Sequence, residues 1–190
     1  MHISRGNSKV GKIPNVSLTP GAGCSPLAPC RSRKTCYAFK ALMYPATRAN
    51  WAANLRQATV DLVGYMIEVG SYVSINKPEF FRWHVGGDIL NQSYLDGMKA
   101  VARENRATKF LCFTKMHDLD YTRLPPNLTI VFSMWPGWGN TEKKMPRAWM
   151  QDGTETRIPA DALHCPGACE GCGACWNLRN LNRDVYFSRH

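Results

Sequence analysis

Four cysteines within eleven residues constrain this chain more than any other feature: Cys165, Cys169, Cys172 and Cys175, in the run HCPGACEGCGACW. Gaps of three, two and two residues let a chain wrap closely around one inorganic centre. Gly167, Gly171 and Gly173 supply the backbone freedom such wrapping needs. Structural zinc sites usually join two knuckles across a spacer of about a dozen residues. A C-x2-C-x2-C run with a proline beside an outlying cysteine is closer to an iron–sulfur loop. A 4Fe-4S cluster is therefore expected on these four thiols, with zinc as the alternative and disulfides last.

Three further cysteines, Cys24, Cys30 and Cys36, are spaced by five and five residues in a proline-containing loop that ends in Tyr37-Ala38. A cubane needs four ligands, so three thiolates leave one iron open to substrate, cofactor or a remote protein group. A three-cysteine zinc site completed by His84 or His117 is the plainer alternative. Cys112 as a fourth ligand would make a closed electron-transfer cluster, but in the apolar run FLCFT a buried inert thiol is expected.

Composition sets the class. The chain has 190 residues, 44% hydrophobic and 11% aromatic, enough to bury a core and to exclude global disorder. Eight cysteines are too few for a small disulfide scaffold. No apolar run approaches the ~18 residues of a membrane span; the longest candidate is broken by Asp61, Gly64 and Glu68. The start, MHISRGNSKVGK, is basic with no apolar stretch behind it, so a cytoplasmic location with reduced thiols is expected and no membrane partner.

Local patterns point to an α/β fold. Asn15–Thr19 reads as a short strand, and Tyr37 to about Gly70 as helix, with a break at Pro45 and a long helix from about Thr47. Phe80–Val85, Lys109–Thr114 and Leu128–Met134 read as strands, and Tyr94–Arg106 as a helix capped by Asn91 or Ser93. Strands nearly continuous in apolar residues, alternating with helices, imply a parallel sheet covered by helices. The pattern fades from Pro136 to about Leu163, and Val185–Phe187 reads as a last short strand. The expected organisation is one compact domain: an α/β core over residues 1–135 carrying the three-cysteine loop, and a C-terminal extension over 136–190 carrying the four-cysteine segment.

Sites of α/β sheets gather at the carboxyl ends of strands. That places Gly86, Gly87, Asp88, Thr114, Lys115, Ser133 and Trp135 on one rim with the first cysteine loop. Gly86-Gly87 would let backbone amides approach a ligand, Asp88 would accept from an ammonium group, and Lys115 would hold a carboxylate or phosphate. Trp135, Trp138 and Trp149 offer faces for stacking on a base, and ordinary core packing accounts for them equally well.

The run SLTPG…C…PC…CYAFK, the segments FRWHVGGDI, FTK and NLTIVFSMWPG, and the end CPGACEGCGACW together resemble a family of small phage proteins, gene product eighty-eight. The layout also resembles a reduced radical-SAM protein. That likeness implies a partial (βα) barrel or open parallel sheet, a 4Fe-4S cluster on Cys24, Cys30 and Cys36 whose open iron chelates S-adenosylmethionine, and Gly86, Gly87 and Asp88 near its amino group. It also implies an auxiliary 4Fe-4S cluster on Cys165, Cys169, Cys172 and Cys175, and a reductant such as a ferredoxin or flavodoxin. The chain departs from the radical-SAM pattern in both cysteine gaps, in having Asp88 where glutamate is usual, and in its short length. A phage origin would place it in the host cytoplasm.

The formal charge of +10 fits a nucleic-acid binder, and it also fits compensation of anionic thiolate clusters. Its local groups are Arg31, Arg33 and Lys34 in the first cysteine loop, Lys143, Lys144 and Arg147, and Arg179, Arg183 and Arg189 near the end. Three functions compete: a minimal radical-SAM-like enzyme, a non-catalytic metal-stabilised module that binds nucleic acid or protein, and a two-cluster electron carrier.

Overall fold

The computed structural model describes residues 1–7, 10–31 and 36–188; Arg33, Lys34 and Arg189, counted above among the basic residues, lie outside these. Seven strands form one sheet: β1 (Asn15–Val16), β2 (Phe80–Trp83), β3 (Lys109–Thr114), β4 (Leu128–Met134), β5 (Arg147–Gln151), β6 (Leu163–His164) and β7 (Val185–Ser188). Every pairing between them is parallel, in the order β1-β2-β3-β4-β5-β7-β6. The sheet is open, with β1 and β6 at its edges, so the open-sheet form of the expected fold is the one adopted and no barrel closes.

Strand side chains alternate between two apolar layers. Phe81, Trp83, Phe110, Cys112, Ile130 and Phe132 face a core shared with Tyr65, Met66, Val69, Tyr94, Leu95 and Met98. The latter come from α3 (Leu62–Asn76) and α4 (Gln92–Glu104). Leu111, Val131, Ala148 and Val185 face the other way, against Trp176 and Leu178 of the C-terminal segment. Burial on both faces is why β2, β3 and β4 are nearly continuous in apolar residues.

The helical stretch after the first cysteine loop divides into three. α1 (Ala38–Ala41) is a single turn, α2 (Pro45–Val60) begins with Pro45 at its first position, and α3 follows after one residue. A proline at that position loses no helical hydrogen bond, so Pro45 opens a helix instead of interrupting one. The break falls at Asp61, whose side chain accepts from the Gly64 N–H at 2.9 Å. Asn91 caps α4, accepting from the Tyr94 N–H at 2.9 Å.

Residues after 135, expected as an extension, supply β5, β6 and β7 of the same sheet and cover its second face. Trp176 fastens this cover. Its indole N–H donates to the Phe81 carbonyl at 3.1 Å, its carbonyl accepts from the Thr129 hydroxyl at 2.7 Å, and its ring packs on Phe80. Among the described residues no helix is long and apolar enough to cross a membrane.

Trp176→Ala removes a buried anchor of the second layer. Urea unfolding is expected to show a loss of about 3–5 kcal/mol. A loss below about 1 kcal/mol would mean that the C-terminal segment is not part of the core.

Candidate functional site

The first cysteine loop leaves the carboxyl end of β1 and is tied at both ends to the segment that leaves the carboxyl end of β2. At its start, the Asp88 N–H donates to the Gly23 carbonyl at 2.6 Å. At its finish, the Tyr37 hydroxyl donates to the Val85 carbonyl at 2.7 Å. Between these clamps, Ser17 Oγ accepts from the Val85 and Gly86 N–H groups at 3.1 and 3.3 Å, and the Leu18 N–H donates to the Gly86 carbonyl at 2.9 Å. The two glycines are required by this closeness. A Cβ on Gly86 would stand 2.4 Å from the Trp51 ring, and one on Gly87, at φ +81°, would stand 2.7 Å from Leu18.

Asp88 extends the tie to β3. Its carboxylate is buried and accepts from the Thr114 hydroxyl at 2.6 Å, the Ile89 N–H at 2.8 Å and the Lys115 N–H at 2.8 Å. Burial pushes this carboxyl above its usual range, and Lys115 with the three donors pulls the other way. One side chain thus holds together the ends of β2 and β3, and its backbone N–H holds the cysteine loop.

Within the loop, the Cys24 sulfur accepts from the Gly21 N–H at 3.4 Å, and burial raises its thiol pKa. Cys30 and Cys36 are hydrogen-bonded to each other. That bond drives Cys36 down to about 6, helped by the Ala38 and Phe39 amides, and drives Cys30 up. The charges of Asp88 and Lys115 act on Cys24, and that of Lys115 on Cys30 as well.

A cavity of about 300 Å3 opens beside this loop on the same rim. Ser25, Pro26 and Leu27 form one wall, Lys115 to Asp118 another, and Trp138, Gly139 and Asn140 the third. Lys115 lines it as the rim position implied. Ser133 instead lies buried in β4 beside Ala148, and Trp135 forms a backbone bridge with Trp138, which lines the cavity in its place. Trp149 is buried in the core and donates to Asp184 at 2.8 Å. The sequence reading missed Ser25, Asp118 and Asn140 as lining residues; they come from three loops with no common local pattern.

Neither histidine offers a spare nitrogen to the three thiols. His117 stacks on Phe132 with ring centres 4.2 Å apart; its Nε2 bonds the Thr114 carbonyl at 3.2 Å and its Nδ1 accepts from the Asn140 N–H at 3.1 Å. Burial lowers its pKa to about 4. His84 is buried at φ +57°, a left-handed conformation costing about 1–2 kcal/mol. Its Nε2 bonds the Tyr94 hydroxyl at 2.9 Å, which donates to Tyr65, and Cys112 lies 3.6 Å from its Nδ1. Cys112 is buried within this chain, raised by desolvation as an inert thiol would be.

The second cysteine group gathers on the sheet's second face. Cys165 follows β6, Cys169 and Cys172 bound the turn α5 (Cys169–Cys172), and Cys175 lies in the 3-10 turn Ala174–Asn177. All four line one cavity of about 30 Å3. Burial pushes the Cys175 thiol up to about 12, and the charges of Cys165, Cys169 and Cys172 add to it.

A family model described as Gene product 88 matches residues 3–178. The chain belongs to this phage family. The match runs from before β1 through both cysteine groups and ends before β7. No curated protein and no solved structure matches it.

Among the described residues no three His, Cys, Asp or Glu side chains already stand at metal-ligating spacing. The chemistry around the second group nevertheless suits an anionic metal centre. Arg82 of β2 is more than nine-tenths buried, its Nε has no partner, and its guanidinium lies over the Phe113 ring at 5.0 Å. Its positive charge acts on Cys175. A buried cation costs several kcal/mol unless countercharged. A thiolate centre on the facing segment would supply that countercharge. In the sequence, the only signal for this is an arginine inside the aromatic run FFRW.

Two outcomes follow. Asp88→Asn places an amide N–H2 against an existing donor, and a stability loss of about 1–3 kcal/mol is expected by urea unfolding. An unfolded histidine takes a proton near the usual 6.5, whereas His117 resists down to about 4. Unfolding therefore takes up a proton between these values. The stability His117 contributes is full above about pH 6.5 and is lost as pH falls toward about 4. Denaturation at stepped pH checks this; a flat profile across that window contradicts it.

Proposed function

We propose that this gene product 88 protein is a two-cluster iron–sulfur protein whose strand carboxyl rim carries radical-SAM-type chemistry. The observation that supports this reading is the placement of the three-cysteine loop. It is clamped at Gly23 and Tyr37 onto the segment Val85–Asp88, beside a cavity of about 300 Å3 on the same rim. In this reading Cys24, Cys30 and Cys36 hold one 4Fe-4S cluster and Cys165, Cys169, Cys172 and Cys175 the other. A cubane held by three thiolates supplies an open iron and an electron for reductive cleavage of S-adenosylmethionine.

The chain's own residues then have defined tasks. Asp88 fixes the loop and is largely occupied in doing so. Lys115 brings positive charge to the thiols and to the cavity, suited to a carboxylate. Trp138 and the exposed, apolar Pro26 and Leu27 add nonpolar surface to the cavity wall. At about 300 Å3 the cavity is at the small end of ligand sites, which favours a compact substrate.

The small cavity that the four C-terminal thiols help to line, about 30 Å3, favours a second reading for that group alone, a single zinc ion. Anaerobic metal and sulfide analysis separates the two. About eight irons are expected, falling to about four in a Cys24/Cys30/Cys36→Ser triple variant, with loss of 5′-deoxyadenosine formation after chemical reduction. Four irons with one zinc in the unaltered protein would support the second reading. Two intact clusters that do not cleave S-adenosylmethionine would overturn the enzymatic one.

A further inference from the structure

The opposite rim, at the amino ends of the strands, carries a different chemistry. Arg103, at the end of α4, donates to the Arg123 carbonyl at 3.1 Å. Arg179 donates to the neighbouring Leu124 and Pro125 carbonyls at 3.2 and 3.0 Å. Arg179 then joins Arg183, Arg147 and Lys144 around a cavity of about 420 Å3. Six cations thus follow one another along the rim. Arg103, Arg123, Lys144 and Arg179 are exposed.

The anchoring is what gives this rim a role. Arg103 and Arg179 are held by neutral backbone carbonyls, which fix the guanidinium without cancelling its charge. A guanidinium has five N–H donors, so one or two such bonds leave the rest for a ligand. Two carboxylates share the cavity. Asp184 is buried, bonded to the Trp149 indole and to Arg147, and Asp161 is 3.8 Å from Arg183. They offset two of the four cavity cations, and Arg103 and Arg123 add to the remainder. Leu181 is the one strongly exposed apolar side chain in this stretch of the C-terminal segment. A protein partner would seek an apolar centre to its interface, whereas phosphates need only cations.

We infer that the strand amino-end rim binds the phosphodiester backbone of a nucleic acid, on the side of the sheet away from the first cysteine loop. Recognition is of phosphate, without a stacking platform, so it is expected to be steep in salt and weak in sequence preference.

The test uses the full chain and fluorescence anisotropy with labelled single-stranded DNA, duplex DNA and RNA of one length, from about 50 to 200 mM salt. Binding that falls linearly in log salt is expected on at least one of the three. Arg123→Ala with Lys144→Ala changes two exposed side chains and leaves every carbonyl anchor in place. It is expected to weaken that binding about tenfold and to reduce the salt slope by roughly two. Lys144→Glu alone is expected to act in the same direction. No salt-sensitive binding by the unaltered chain, unchanged binding by both variants, or equal binding of polyglutamate of matched charge would each overturn the inference. The last would assign the rim to an acidic protein.

Discussion

The rim depends on the buried carboxylate of Asp88. Parallel strands end in separate loops, and nothing in the sheet ladder itself holds those loops together. Asp88 does so by accepting from Ile89, Thr114 and Lys115 while its backbone N–H reaches Gly23. Charge-assisted bonds of this kind are stronger than neutral ones. The three-cysteine loop consequently has a fixed start, and Tyr37 gives it a fixed finish at Val85. Without these ties the spacing of Cys24, Cys30 and Cys36 would be that of a free loop.

Charge separates the two cysteine groups from the rest of the molecule. The first group faces Lys115 and the second overlies Arg82, so each set of thiols has a cation beside it. A further run of basic side chains lies elsewhere, at the strand amino ends. The basic residues behind the overall charge of +10 thus fall in two settings, cations beside the thiols and a surface stripe at the strand amino ends.

Much of the sheet is legible in the sequence because β2, β3 and β4 are covered on both faces and so lack polar alternation. β5 is not, because RAWMQ begins with a charge and ends with an amide inside a proline-rich stretch. Nor is the break at Asp61, which sits inside an otherwise periodic apolar run where only the cap geometry reveals it. The rim as a location is legible from the rule that sites gather at strand carboxyl ends. Its contents are less so. Gly86 and Gly87 read as a place for a ligand, yet Trp51 and Leu18 occupy the space their missing side chains leave. In the zinc alternative His84 or His117 would complete the first site, yet both nitrogens of His117 are bonded to backbone. Such partners come from distant segments and leave no local trace.

Low-temperature electron paramagnetic resonance of the anaerobically purified, reduced protein tests the central claim most directly. Two overlapping 4Fe-4S signals are expected, of which S-adenosylmethionine alters one, and that one disappears when Cys24, Cys30 and Cys36 are replaced. A spectrum with no cluster signal in a fully zinc-loaded protein, or two cluster signals that S-adenosylmethionine leaves unchanged, would contradict it.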